Sequence, residues 1–156
     1  MYGTTNFGGH IGGGTVFELT PNANDQWTEK VVYSFLNNGK GGYNPLFGLV
    51  FDTAGNLYGT TSGGGRFSHG TVFELSPGAN GQWTEKVLYA FDSSDGAEPA
   101  SGLIMDSNGN LYGNTNTGGA NDLGTVFAYR LVRAANGKRR CTASGLGTME
   151  PGPLAI

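Results

Sequence analysis

The sequence predicts an all-β fold, a partial β-propeller of about two and a half four-stranded antiparallel blades. Two observations predict it: a long internal repeat, and four strand-like runs within each repeat. Residues 2–35 and 58–91 align at an offset of 56, and 23 of these 34 positions are identical. A third copy starts at Tyr112. A fixed period of this length indicates a repeat architecture, in which neighbouring units stack to bury one continuous core.

The strand-like runs are short and rich in Val, Phe, Tyr, Leu and Thr, the residues that strands favour. Segments of Gly, Asn, Asp, Pro and Ser separate them, as turns require. No window shows a helical period. In the second repeat the four predicted strands are residues 46–51, 57–61, 71–75 and 84–91.

Residues 49–51 and 87–91 are nearly continuous apolar runs, which are typical of strands covered on both faces. A propeller covers both faces because each sheet lies between two neighbours. A β-sandwich would leave one face of each strand in water and would not require near-identical repeats, so the propeller is favoured.

The repeats define the predicted domain organisation. Residues 1–129 are propeller-like, and residues 130–156 form a non-repeat tail. The blades are a partial one over 1–35, a full one over 45–91 and a partial one over 99–129.

The motifs resemble the Gloeo/Verruco repeat. They are Gly-Asn-Leu-Tyr-Gly-Thr-Thr, a Gly pair, Gly-Thr-Val-Phe-Glu-Leu with a following Pro, and Trp-Thr-Glu-Lys-Val, within residues 2–127. The resemblance implies a propeller-like repeat from large bacterial proteins that are secreted or attached to the cell surface. It carries over no activity and no functional residues. We therefore expect an extracellular or cell-surface location for the parent protein.

Charge and composition exclude several classes of partner. Residues 1–129 carry four basic and eleven acidic side chains, a net charge of −7, which argues against a nucleic-acid partner. No apolar stretch is long enough to span a bilayer, and no signal peptide is evident on this chain. The single cysteine, Cys141, excludes a disulfide framework.

Both ends of the sequence interrupt the repeat. Met1 stands where Leu57 and Leu111 stand in the other copies, which suggests an internal start or the edge of a fragment. After Asn136-Gly137 the expected Trp-Thr-Glu-Lys does not follow. Residues from about Lys138 onward can be read as a frame-shifted translation of the next strand and loop. The alternative is a native, disordered basic tail. On either reading the tail is not expected to pack as a strand.

The candidate ligand-binding residues come from loops that differ between the repeats. In a propeller, the loops 6–13, 62–69 and 116–123 share one face with the connections 36–44 and 92–98. Variable loops on a constant scaffold often form binding surfaces, although they can also be merely unconstrained. The predicted binding residues are His10, Arg66, Phe67, His69, Asn121 and Asp122.

No metal, cofactor or catalytic site is predicted. His10 and His69 do not align and lack zinc-site spacing. Residues 52–56 and 106–110 partly match the start of a calcium loop, but the order of residues fails, so an Asp-capped hairpin turn is favoured.

Other recurring side chains have structural interpretations. Glu29-Lys30 and Glu85-Lys86 are expected to protect an exposed outer strand from pairing. Trp27 and Trp83 are expected to pack between blades.

The favoured function is a non-enzymatic module for adhesion or ligand binding, with a carbohydrate or cell-surface ligand. The alternatives are a polysaccharide lyase or hydrolase on a propeller scaffold, and a purely structural spacer. Because propellers close with about four to eight blades, the chain is expected to need further blades in cis or to self-associate.

Overall fold

The structure is a computed structural model that describes residues 1–133 and 139–148. It is an all-β fold of three antiparallel sheets, and each sheet contains one copy of the repeat. Within the described residues, no helix has the length and apolar character that crossing a membrane requires.

The first sheet has the order β1-β2-β3, and its strands are joined by hairpin loops. The constant motifs form the strands, and the Gly- and Asn-rich segments form the loops. The strands are β1 (Tyr2–Thr5), β2 (Thr15–Pro21) and β3 (Trp27–Ser34).

The second sheet adds two short strands to the same arrangement. Its order is β4-β6-β7-β8, and β5 also pairs with β6. A 3-10 turn, Ala79–Gly81, lies between β7 and β8. The strands are β4 (Gly42–Pro45), β5 (Val50–Phe51), β6 (Leu57–Gly64), β7 (Thr71–Pro77) and β8 (Trp83–Ala90).

The third sheet repeats the second, with the order β10-β11-β12-β13 and with β9 also paired to β11. Its strands are β9 (Ala97–Pro99), β10 (Ile104–Met105), β11 (Leu111–Thr117), β12 (Thr125–Arg133) and β13 (Arg139–Thr148).

The strand predicted over residues 46–51 is shorter than expected. Only Val50–Phe51 form a strand, and a separate strand, Gly42–Pro45, lies in the segment expected to be a loop. The chain leaves the ladder between them because its polar groups bond to the preceding sheet. Thr4 Oγ1 donates to the Phe47 carbonyl at 3.1 Å.

The tail also differs from the expectation. Arg139–Thr148 form β13, which pairs antiparallel with the whole length of β12. The prediction that the tail does not pack as a strand is therefore wrong for these residues. Backbone pairing requires no side-chain pattern, and β12 would otherwise present an unpaired edge. Residues 134–138 and 149–156 lie outside the described residues, and the frame-shift remains a hypothesis about the coding sequence.

The three sheets stack through two equivalent junctions. In the first junction, between the first and second sheets, the ring of Phe35 meets the ring of Phe73 edge-on at 5.0 Å. In the second, Phe91 meets Phe127 at the same distance and nearly the same angle. All four rings are buried. The repeated sequence thus forms the same interface twice.

The recurring Trp contributes to this packing. The Trp83 ring lies 6.2 Å from that of Tyr2 across the first junction, which confirms the packing interpretation for Trp83. Trp27, its equivalent in the first sheet, is exposed.

The glycine that opens Gly-Thr-Val-Phe is required by the junction. Gly70 has a φ of +96°, and a Cβ there would lie 2.5 Å from Cδ of Pro99 in the next sheet. Gly14 stands in the same relation to Pro45. Only glycine combines this backbone conformation with so close an approach.

At each junction a tyrosine hydroxyl donates a hydrogen bond to a carboxylate. Tyr33 donates to Glu85 Oε2 at 2.9 Å, and the Gly42 N–H donates to Glu85 Oε1 at 3.3 Å. The equivalent Tyr89 donates instead to Asp95. Asp95 aligns with Gly41, where a Cβ would lie 2.7 Å from Glu85 Oε2. A side chain at Gly41 would therefore require the Glu85 carboxylate to shift.

This contact corrects the interpretation of Glu85 as an edge-protecting charge. Glu85 is half-buried and hydrogen-bonded, whereas its equivalent Glu29 is exposed. Burial raises the pKa of Glu85, although hydrogen bonds from Tyr33 and from Gly42 partly offset this effect.

We expect Gly70→Ala to lower the free energy of unfolding by about 3 kcal/mol, because the strained φ and the clash with Pro99 add. Gly55→Ala is the matched control. Gly55 also has a positive φ, +85°, but a Cβ there meets no atom within 4 Å. It should cost about 1 kcal/mol. Urea unfolding measures both, and equal losses would contradict the close approach.

We expect Glu85→Gln to change the pH dependence of stability. The pKa of Glu85 in the folded protein lies above the ordinary value of 4.5. The stabilisation that comes from proton binding at Glu85 is therefore fully present below pH 4.5 and is lost as pH rises through the folded pKa. The unfolding free energy of the variant relative to the wild type should therefore increase from acidic to neutral pH. Urea unfolding at acidic pH and at neutral pH tests this, with the exposed Glu29→Gln as control. A difference that does not vary with pH would refute it.

Candidate functional site

The variable loops lie along one edge of the stacked sheets. The backbone N–H of Asn44 donates to the Gly13 carbonyl at 2.8 Å, and that of Glu98 donates to the His69 carbonyl at 2.9 Å. Each β-hairpin loop of one sheet therefore meets the segment that enters the next sheet. This edge is the one on which the sequence placed the candidate binding residues.

A constant pair of threonines fixes the base of each loop. The hydroxyls are 2.7 Å apart in Thr61 and Thr71, and the pair is buried. Equivalent pairs join Thr5 to Thr15 and Thr115 to Thr125. The loops can therefore vary in sequence on an unvarying support.

A cleft of about 410 Å³ opens on this edge between the second and third sheets. The end of β6 with the loop that follows it, strand β4 and the segment after β9 surround it. We name it the junction cleft. Its lining is Tyr43, Leu46, Phe47, Ser62, Gly63, Ser68, His69, Glu98, Pro99, Ala100 and Asn116.

Nearly every position in this lining differs between repeats. Glu98 aligns with Asn44, His69 with Gly13 and Leu123, and Tyr43 with Ala97, whereas Pro99 is constant. The variation is concentrated at the cleft, while the threonine pairs and the junction phenylalanines stay the same.

Glu98 has an unusual backbone conformation for its side chain. Its φ is +54°, a left-handed conformation that asparagine tolerates but that costs other side chains about 1–3 kcal/mol. Its carboxylate is exposed and receives a long hydrogen bond of 3.4 Å from Asn116 Nδ2. Strain of this kind is concentrated at functional sites.

The exchange of asparagine for glutamate changes the hydrogen bonds at this edge. In the first junction, Asn44 Nδ2 donates to both the carbonyl and the side-chain oxygen of Asn6, at 2.9 Å each, and bridges the two sheets. In the second junction the hydroxyl of Ser62, the equivalent of Asn6, donates instead to the Asn44 carbonyl of its own sheet at 3.1 Å. Glu98 turns instead towards Asn116 of its own sheet.

The structure separates the sequence-predicted site residues. His69 lines the junction cleft and is partly buried. Arg66 and Phe67 precede it in the same loop as an exposed pair, with the guanidinium carbon 4.6 Å from the ring centroid. The other three lie in exposed positions of the neighbouring loops: His10, Asn121 and Asp122.

Asp122 has a local structural contact. Its Oδ1 accepts a hydrogen bond from the Gly118 N–H at 2.7 Å, which fixes the loop between β11 and β12.

Sequence reasoning missed the polar residues that face His69, namely Glu98 and Asn116. The available signal was the alignment of the residue before the constant proline, where asparagine in one repeat becomes glutamate in the next.

The Asp-led segments form hairpin turns, as predicted. Asp52 Oδ1 accepts from the N–H groups of Ala54 and Asn56, and Oδ2 accepts from Asn56 Nδ2 and the Tyr58 hydroxyl. Asp106 makes the same four contacts in the third sheet.

These hydrogen bonds set the ionisation of Asp52. Desolvation raises its pKa, but the hydrogen bonds from Asn56, Tyr58 and Ala54 together hold it below its ordinary value. Among the described residues, no three His, Cys, Asp or Glu side chains gather as metal ligands would.

The fold and this edge can be compared with known proteins. The family model described as the Gloeobacter/Verrucomicrobia repeat matches residues 1–145. The chain belongs to this repeat family. The match covers all three sheets and reaches into β13. Neither the curated proteins nor the solved structures include a match to the chain.

In this Gloeobacter/Verrucomicrobia repeat protein we expect Glu98→Asn to raise the free energy of unfolding by about 1 kcal/mol, because asparagine relieves the left-handed strain. Urea unfolding measures the gain. Glu29→Asn, on the exposed strand β3, removes the same charge without that relief and should not stabilise the protein. Equal or lower stability of Glu98→Asn would show that Glu98 is not strained.

Proposed function

We propose that the chain is a non-enzymatic binding module of the β-propeller type that takes a carbohydrate in the junction cleft. The single observation that carries this proposal is the cleft itself. It is lined by the positions at which the repeats differ, and it is supported by contacts that the repeats share.

The propeller architecture is supported by the two equivalent junctions. Each sheet packs on the next through the same phenylalanine pair, and the connection between sheets returns to the edge that carries the hairpin loops. Stacked four-stranded units with this connection are propeller blades. The chain then comprises about two and a half blades.

A carbohydrate fits the chemistry of the cleft. Glu98 can accept hydrogen bonds from sugar hydroxyls, and Asn116 can both donate and accept. Charge-assisted hydrogen bonds to a carboxylate are stronger than neutral ones. Tyr43 and Phe47 contribute aromatic surface beside these polar groups. Small-molecule sites usually combine a few polar groups with apolar walls.

Binding is favoured over hydrolysis by the number of carboxylates. Most glycoside hydrolases use two carboxylates that flank the scissile bond. Among the residues that line the junction cleft, Glu98 is the only acidic one. A carbohydrate ligand also agrees with an extracellular or cell-surface role, which we propose for the protein that carries this repeat.

A glycan array followed by titration of the best ligand tests the proposal. We expect binding, and we expect Glu98→Gln to raise Kd by about tenfold, because a hydrogen bond to a charged group contributes about 1.5–3 kcal/mol. The backbone and side-chain size are unchanged in this variant.

Glu29→Gln is the matched control, since it removes one carboxylate outside the cleft and should leave Kd unchanged. A blank array together with no binding to bacterial or host cells would refute the proposal. Equal affinity of Glu98→Gln and wild type would refute the cleft as the site.

A further inference from the structure

The first sheet presents an apolar face that has no neighbour among the described residues. Met1, Trp27 and Val31 are 72%, 55% and 49% exposed. Phe17 and Leu19, on the central strand β2, lie on the same face of the sheet. We name these five residues the leading face.

The same positions of the second sheet are covered. Leu57, Phe73 and Leu75 align with Met1, Phe17 and Leu19, and each is fully buried in the first junction. The leading face is therefore equivalent to one half of a junction.

The third sheet presents the other half. Val126 is 37% exposed, whereas its equivalents Val16 and Val72 are fully buried against the following sheet. Tyr112 is only partly buried, while its equivalent Tyr58 is fully buried. We name Tyr112, Asn114 and Val126 the trailing face.

Asn114 provides an independent sign that this face is incomplete. Its Oδ1 is buried and has no hydrogen-bond partner among the described residues. The equivalent hydroxyls of Thr4 and Thr60 donate to carbonyls of the following sheet, at Phe47 and Ser101. Within the part of the chain that the structure describes, the third sheet therefore lacks, at this position, the cross-sheet hydrogen bond that the following sheet provides in the other two.

We infer that the leading face of one chain binds the trailing face of a second copy of the same chain, head to tail. The two faces are already partners inside the chain, where equivalent residues form both junctions. Such a contact is heterologous, so it extends into a stack or closes into a ring rather than stopping at a symmetric dimer.

The first experiment is the mass in solution as a function of concentration, by sedimentation. The wild type should form species heavier than the 16.2 kDa chain. Trp27→Glu, on the leading face, and Val126→Glu, on the trailing face, should each remain monomeric at concentrations at least tenfold higher. Ala54→Glu, in an exposed turn outside both faces, should associate like the wild type.

Mixing the two variants decides the geometry. Trp27→Glu retains its trailing face and Val126→Glu retains its leading face, so the mixture should form a one-to-one complex that neither forms alone. Circular dichroism establishes that each variant is folded.

Three results would overturn the inference. They are a monomeric wild type at all concentrations, self-association of Val126→Glu alone, and a mixture of folded variants that stays monomeric. The second result would mean that leading faces bind each other. The third would mean that the association uses another surface.

Discussion

The structure depends on one contact, the edge-on meeting of two phenylalanine rings between adjacent sheets. Phe35 on Phe73 and Phe91 on Phe127 bury the centre of each junction. The close approach of Gly70 to Pro99 at the loop edge brings the sheets within reach of this contact. The copies of the repeat are therefore alike at the residues that form the junction, and they differ at the loop edge of the junction.

Much of this arrangement could be predicted from the sequence because it is local or repeated. The turn at Asp52 follows from residues within six positions of it, and the loop edge follows from the order of strands. The break between β4 and β5 could not be predicted, because it depends on Thr4, more than forty residues away. The strand at Arg139–Thr148 uses backbone bonds that leave no trace in side-chain pattern.

The junction cleft shows how the edge of a repeat can change without disturbing its core. Asn44 bridges the first junction, whereas Glu98, at the same position of the second junction, bonds within its own sheet. Sequence comparison highlighted the long loops instead, because their differences are more numerous, although the strained residue lies just before the constant proline.

The carboxylates that receive Tyr33 and Tyr89 come from different places in the chain. Glu85 belongs to strand β8 of the next sheet, whereas Asp95 belongs to the connection between two sheets. A Cβ at Gly41, the position that Asp95 takes in the other connection, would lie 2.7 Å from Glu85 Oε2. Two different segments thus supply the acid for the same tyrosine of the repeat, so the packing of the junction tolerates a change in which segment provides its hydrogen-bond acceptor.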